Sequence, residues 1–331
     1  AGLLFAVGLA RRHVPDEKKG TVSLIVLLLL GCNLYHLYYL AIPKTYALAT
    51  LFVAMGFYLL SLALEGRAYL AASAGLSLAF AAGTRISLGA ILAVVGFGLL
   101  FGFRRYRWAF LWFGLGGLFG LAVVYGAFLA DPVSRGGLLA AQAYHTARGG
   151  FDPVFTIGSV SRLVRWYLPV FVVLGLGIAG MVGKNGTDGT HETHGTGLIL
   201  GSLVAVFAVQ MLAPFPYEDY QVPIMGLLAV YAAVAFVSCH RTIEQSNNLG
   251  VLLVLGLCFA SSFGSPLLEK WTTNGQDRFW TLKKEQCELA QLREVARQIE
   301  EEDPNGKMLL TQDLYLAIET GRRVPEGLEM G

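Results

Sequence analysis

Long apolar runs, separated by short clusters of basic residues, recur from Thr21 to Phe263 and leave few folds open to this chain. A water-soluble core cannot bury so many apolar stretches, whereas a bilayer accepts helices of about 20 mostly apolar residues. Candidate spans cover residues 21–34, 46–64, 69–82, 87–103, 108–130, 166–183, 197–213, 222–238 and 249–263, and residues 1–10 read as the last part of another. The composition agrees: 55% of the 331 residues are hydrophobic and 15% charged, against about 25% charged in an ordinary soluble domain. The expected fold is an all-α polytopic membrane protein with about nine or ten transmembrane helices and a small carboxyl-terminal α/β extracytoplasmic domain. Residues 1–264 form the membrane body and 265–331 the soluble domain, and both ends read as cuts within a longer protein.

The tail changes period. Leu282, Leu289, Leu292, Ala296 and Ile299 recur at helical spacing, which lays one apolar stripe along a helix. Residues 307–311 then read as a strand, 314–320 as a short helix, and Gly321 as its stop. In the body, Arg11, Arg12, Lys18, Lys19, Arg67, Arg104, Arg105, Arg107, Lys184 and Arg241 occupy alternate loops. The positive-inside rule places those loops in the cytoplasm. Segments 35–44, 131–165 and 214–221, and the tail, then face the opposite side, although 131–165 itself carries four arginines.

Several patterns invite a chemical reading that their setting does not support. A net charge of +2 spread over short clusters excludes a nucleic-acid surface. Cys32, Cys239, Cys258 and Cys287 have no paired spacing, so neither a disulfide framework nor a zinc site is expected. Gly175, Gly177 and Gly180 match a dinucleotide fingerprint but lie within an apolar span, where glycines let helices approach. His191 and His194 are three residues apart, one short of the metalloprotease spacing.

The outward segments hold better candidates. Tyr144, His145 and Arg148 fall within one helical turn, and His145 with Arg148 makes a cationic pair suited to a phosphate. Glu218, Asp219 and Tyr220 stand at the mouth between two spans, bracketed by prolines and tyrosines. An aromatic belt from Tyr35 to Tyr46 carries His36 and Lys44. Arg85 follows Thr84 between two spans, where a guanidinium needs water, a carboxylate or a phosphate.

At these residues the chain resembles the polytopic glycosyltransferases of the dolichyl-phosphate-mannose-protein mannosyltransferase type, including bacterial members that use a polyprenyl-phosphate sugar. The likeness rests on 43–52, on 82–87 with Arg85, on 144–148, on 216–223 and on 313–331, in that order. It implies a membrane transferase of the metal-optional kind, moving a sugar from a polyprenyl-phosphate donor to a lipid, glycan or protein acceptor on the extracytoplasmic face. No cofactor is implied beyond an optional divalent metal. The partners would be the lipid-linked sugar and membrane lipids, in a bacterial inner membrane.

Under the resemblance, Arg85, His145 and Arg148 would neutralise the leaving phosphate. Tyr144, Glu218, Asp219 and Tyr220 would touch the acceptor, and the catalytic carboxylate would belong to an outer loop upstream of Ala1. Two other readings stay open: a transporter, and a non-catalytic scaffold subunit of a larger assembly. The scarcity of Asp, Glu and Lys within the spans argues against coupled transport.

Overall fold

The computed structural model describes residues 1–41, 45–147, 151–183, 194–213, 216–239, 252, 254–258, 260–261, 288–311 and 314–325. Two compact units result, Ala1–Phe263 and Gly264–Gly331. The first is all-helical among its described residues: α1 (Gly2–Arg12), α2 (Lys19–Gly31), α3 (Leu34–Ala41), α4 (Tyr46–Leu64), α5 (Leu70–Thr84), α6 (Gly89–Phe101), α7 (Phe103–Ala130), α8 (Pro132–Ala147), α9 (Pro153–Trp166), α10 (Leu168–Gly183), α11 (His194–Met211) and α12 (Val222–Cys239). Short 3-10 turns at Asp16–Lys18, Ile86–Leu88 and Glu218–Gln221 lead into α2, α6 and α12.

The described residues support fewer than the expected nine or ten spans. Among them, by length and apolar character, three helices suffice to cross a membrane, Tyr46–Leu64, Phe103–Ala130 and Glu218–Ser238, and up to five crossings result if each of two bent pairs is one span. The pairs are Asp16–Gly31 with Leu34–Ala41, bent by 68°, and Pro153–Trp166 with Leu168–Gly180, bent by 85°. Leu70–Thr84, Ile86–Phe101 and Gly195–Met211 are apolar but shorter. At 1.5 Å per residue, the 15 residues of α5 reach about 22 Å, less than the hydrocarbon thickness of about 30 Å. Residues 249–251, 253, 259 and 262–263 of the last expected span lie outside the described residues.

Both bends have local causes. Cys32 is the C-cap of α2, and Asn33 caps α3, its Oδ1 accepting the His36 N–H at 2.9 Å, a third-residue capping bond that restarts the helix in a new direction. At the other bend Tyr167 is the C-cap of α9 and Pro169 sits in the first turn of α10, where its missing N–H costs nothing. The bends are tied to each other. Asn33 Nδ2 donates to the Trp166 carbonyl at 3.0 Å, His36 Nδ1 lies 3.1 Å from the Tyr167 hydroxyl, and the Tyr35 and Trp166 rings stack at 4.4 Å.

Helix α12 is mostly buried and packs on α4, α10 and α2, forming the centre of the body with α4. Helix α7 is mostly exposed, with Leu111, Leu115, Leu118, Phe119, Val123 and Phe128 turned outward. Its other face meets α5 through glycines: a Cβ on Gly116 would stand 1.9 Å from the Ala72 carbonyl oxygen, and one on Gly75 2.3 Å from that of Phe113. Such close approach recovers dispersion energy between helices that gain no hydrophobic driving force in lipid. Gly116→Ala is therefore expected to lower the midpoint of thermal unfolding in detergent, at a cost of about 1–3 kcal/mol. Gly126→Ala on the same helix, where an added Cβ meets nothing within 4 Å, should leave it unchanged or raised. Gly177, from the fingerprint-like triplet, likewise packs against Ala235 and Phe236 of α12.

The second unit departs from the expected α/β character. Its described residues form α13 (Glu288–Glu302) and α14 (Leu314–Glu319), and the strand expected at 307–311 reduces to one parallel bridge between Met308 and Arg323. Only Leu309 N–H to Arg323 O and Arg323 N–H to Lys307 O support it. Pro325, two residues on, has no N–H with which to lengthen the ladder. Gly321, at φ +63°, stops α14 in the left-handed conformation that a glycine adopts most freely.

Arg322 closes the end of α13 by donating to the Ile299 carbonyl at 3.1 Å, while Arg293 reaches Tyr315 Oη at 3.1 Å. The Tyr315 hydroxyl holds the Glu319 carboxyl below the usual carboxylate range, and Arg297 does the same for Glu294. A depressed folded pKa gives stability that is present above the ordinary carboxylate range and is lost as pH falls through the folded value. Hydrogen exchange of 288–302 in the intact protein, corrected for intrinsic rate, should show protection weakening below that range and unchanged above it.

Candidate functional site

Four parts of the body converge on one open cavity of about 610 Å³, lined by Tyr39, Thr45, Tyr46, Arg85, Tyr217, Glu218, Asp219 and Tyr220. Arg85 comes from the end of α5. There the Thr84 hydroxyl bonds back to the Ala81 carbonyl at 2.7 Å, and Arg85 turns to extended backbone, φ −152° and ψ 112°, before the 86–88 turn. This break lifts the side chain out of the helical stack and into the cavity. Tyr46 stands at the start of α4 and Tyr39 near the end of α3, their rings 5.0 Å apart. The acidic wall is the 3-10 turn Glu218–Gln221, fixed on one side by extended Tyr217 and on the other by α12, with Pro223 in its first turn.

The charges are partnered unequally. Asp219 Oδ2 accepts the Tyr46 hydroxyl. Glu218 Oε2 pairs with Arg162 Nε at 3.1 Å and lies 3.4 Å from the Ser159 hydroxyl, both on α9. Arg85 instead lies against aromatic faces, its Cζ 3.9 Å from the centroid of Tyr46 and 5.3 Å from that of Tyr220. Among the described residues no carboxylate comes within ion-pairing distance of it, and its Nε is buried without a hydrogen-bond acceptor. A guanidinium stacked on two rings at the wall of an open cavity, without a carboxylate partner among the described residues, has the chemistry to receive a planar or tetrahedral anion.

The sequence-derived candidates divide accordingly. Arg85, Glu218, Asp219 and Tyr220, drawn from segments more than a hundred residues apart, line the same cavity. The side chains of Tyr144 and His145, and all of Arg148, lie outside the described residues, although 144 and 145 fall within α8. Lys44 and residues 191–193 are outside them too. His36 does not face the cavity: it is buried at 2% exposure on Tyr167, because the bend after Asn33 turns it inward. Among the described residues no group of three His, Cys, Asp or Glu side chains could hold a metal ion. Cys258 is buried and donates to the Leu28 carbonyl, whereas Cys32 is exposed.

Sequence reading missed Arg162 and Ser159, which grip Glu218, and Tyr217, whose ring contacts Phe155 of α9 at 5.6 Å. A signal existed for α9: Asp152 followed by Pro153 is an N-cap with proline at the first helical position, and Asp152 Oδ1 accepts from Val154 and Phe155. No family model, curated protein or solved structure matches the chain.

Proposed function

We propose that this cavity receives the phosphate of a polyprenyl-phosphate sugar, and that the protein is a membrane glycosyltransferase acting on the extracytoplasmic side. The observation that carries the reading is Arg85, an arginine without a carboxylate partner among the described residues, held by Tyr46 and Tyr220 at the wall of an open, tyrosine-lined cavity. In the reaction the bond from the sugar's anomeric carbon to the phosphate oxygen breaks. The electron pair leaves with the phosphate and a bond forms to the acceptor hydroxyl oxygen. Arg85 stabilises the phosphate as its charge grows, the form of electrostatic assistance worth most in a site shielded from water.

His145 and Arg148 join Arg85 in this reading as donor-phosphate contacts. Tyr144, Glu218, Asp219 and Tyr220 orient the acceptor. The acceptor's proton passes to a carboxylate base that the reading assigns to no described residue, since Glu218 is engaged by Arg162 and Asp219 by Tyr46. The reading also requires that shorter apolar helices such as α5, α6 and α11 cross the membrane. It sets the cavity and the carboxyl-terminal unit outside a bacterial inner membrane.

The test is binding and transfer in proteoliposomes, with a short-chain polyprenyl-phosphate sugar labelled in the sugar. Saturable binding that polyprenyl phosphate competes and free polyprenol does not would support the reading, and label in a lipid, glycan or protein acceptor would establish transfer. Label carried into the vesicle lumen unchanged would favour the transporter. Absence of binding in the presence and absence of a divalent cation would leave the scaffold as the better account.

A further inference from the structure

We infer that α9 is an interfacial helix, seated on the bilayer surface by its outer face while its inner face holds the acidic wall of the cavity. The inference does not depend on what the cavity binds. The two faces are sorted by helical position. Phe155, Ser159, Arg162, Leu163 and Trp166 recur at steps of four, three, one and three along the side that meets the body, with Arg162 at its exposed edge. Ser159 and Leu163 are buried, Arg162 pairs with Glu218, and Phe155 packs on Tyr217.

The opposite side carries Val154, Ile157, Ser161 and Arg165, at steps of three and four, all exposed. Val154 is 78% exposed and Ile157 70%, and Phe151 just ahead of the helix is 54% exposed. Three large apolar side chains at one end of a face and an arginine at the other match a helix lying in the headgroup region, with the cation reaching back to phosphate.

The occupant of that face follows from its neighbours. The chain bends by 85° at Tyr167 into α10, whose Leu168, Leu176 and Ile178 are exposed on a helix of uniformly apolar composition. If α10 runs along the membrane normal, α9 runs along the surface, and its exposed apolar side adjoins exposed Leu168 at the start of α10. A soluble partner would have to cover a strip that merges into lipid. A bilayer covers both without a break.

The consequence is mechanical. Arg162 and Ser159 hold Glu218 from a helix whose position is set by the lipid surface at its outer side and by Asn33 and His36 at its end. Seating α9 in lipid therefore fixes the Glu218–Tyr220 wall, and the cavity takes its full shape in a bilayer.

A photo-crosslinking residue such as benzoylphenylalanine placed at Val154 or Ile157, in the full chain reconstituted into vesicles of phosphatidylglycerol and phosphatidylethanolamine, provides the test. The expected result is a phospholipid adduct on the peptide containing α9, found by mass spectrometry from both positions. The same probe at Ser134 of α8, which is partly exposed, gives the background for a residue outside this face. A polypeptide adduct in place of lipid, or lipid capture no greater than at Ser134, would overturn the inference. Hydrogen exchange supplies a readout without substitution: 153–166 and 217–221 should both be better protected in the vesicles than in detergent. Protection rising in neither segment, or in α9 alone, would remove the link to the cavity wall. Either failure would leave the donor-binding proposal standing, since that is read by labelled ligand and not by α9.

Discussion

Arg85→Ala is expected to weaken binding of a polyprenyl-phosphate ligand by roughly 30- to 1,000-fold, while changing the midpoint of thermal unfolding by only a few degrees. The binding loss follows from one or two charge-assisted hydrogen bonds, together worth about 2–4 kcal/mol, at about 1.4 kcal/mol per tenfold. The small stability change follows from the setting. Arg85 has no ion pair among the described residues to break, and what the fold loses is its stacking on Tyr46 and Tyr220. Cation–π contacts of this kind are worth about 0.5–2 kcal/mol.

Arg85→Lys should bind at an intermediate level, because an ammonium keeps the charge but loses the planar fork and the flat stacking surface. Isothermal titration of each protein with a short polyprenyl phosphate, and with the corresponding polyprenol as the uncharged control, measures both effects. Equal affinity of wild type and Arg85→Ala for the phosphate would remove the observation on which the functional reading rests.

How far the sequence could be read depended on whether a property is set by one segment or by several. Apolar content is a property of single segments, so the membrane character and the helices at 46–64, 108–130 and 222–238 were legible directly. The bends were not. Residues 21–34 are continuous in hydropathy, yet Asn33 interrupts them because its carboxamide can cap α3 and reach Trp166, more than a hundred residues away. A hydropathy scan cannot register a side chain that ends one helix by binding another, and it treats Leu70–Thr84, Ile86–Phe101 and Gly195–Met211 as it treats the longer apolar helices.

The tail was misread in the opposite way. Residues 307–311 have the composition of a strand, but a strand needs a partner, and Arg323 supplies one bridge before Pro325 ends the ladder. At the cavity, Arg85, Glu218 and Asp219 stood out because charge between apolar spans is costly and conspicuous. Tyr39, Tyr46 and Tyr217 did not, because tyrosines at span ends serve equally as interfacial anchors. Arg162 was one of four arginines in a long segment, and only the folding of α9 against the 218–221 turn distinguishes it.

The same dependence makes Asn33 the position where one substitution reaches furthest through the body. Asn33→Ala removes the cap of α3, at about 1 kcal/mol. It also strands the Trp166 carbonyl, a part-buried acceptor whose loss of partner costs about 1–3 kcal/mol. A total near 2–4 kcal/mol is expected, read as a lower midpoint of unfolding in detergent. Asn33→Ser should lose less, since a serine hydroxyl can still cap the helix and only the longer reach to Trp166 is gone. Tyr167→Phe removes the second tie by leaving His36 Nδ1 without its hydroxyl, and combined with Asn33→Ala it should cost less than the two singles added. Once either tie is cut, the other holds a joint that is already loose. Arg162 lies four residues before Trp166 on the same helix, so loosening this joint should also reduce ligand affinity at the cavity, although Asn33 is absent from its lining. Loss of stability with ligand affinity unchanged would show that the bend and the cavity wall move independently.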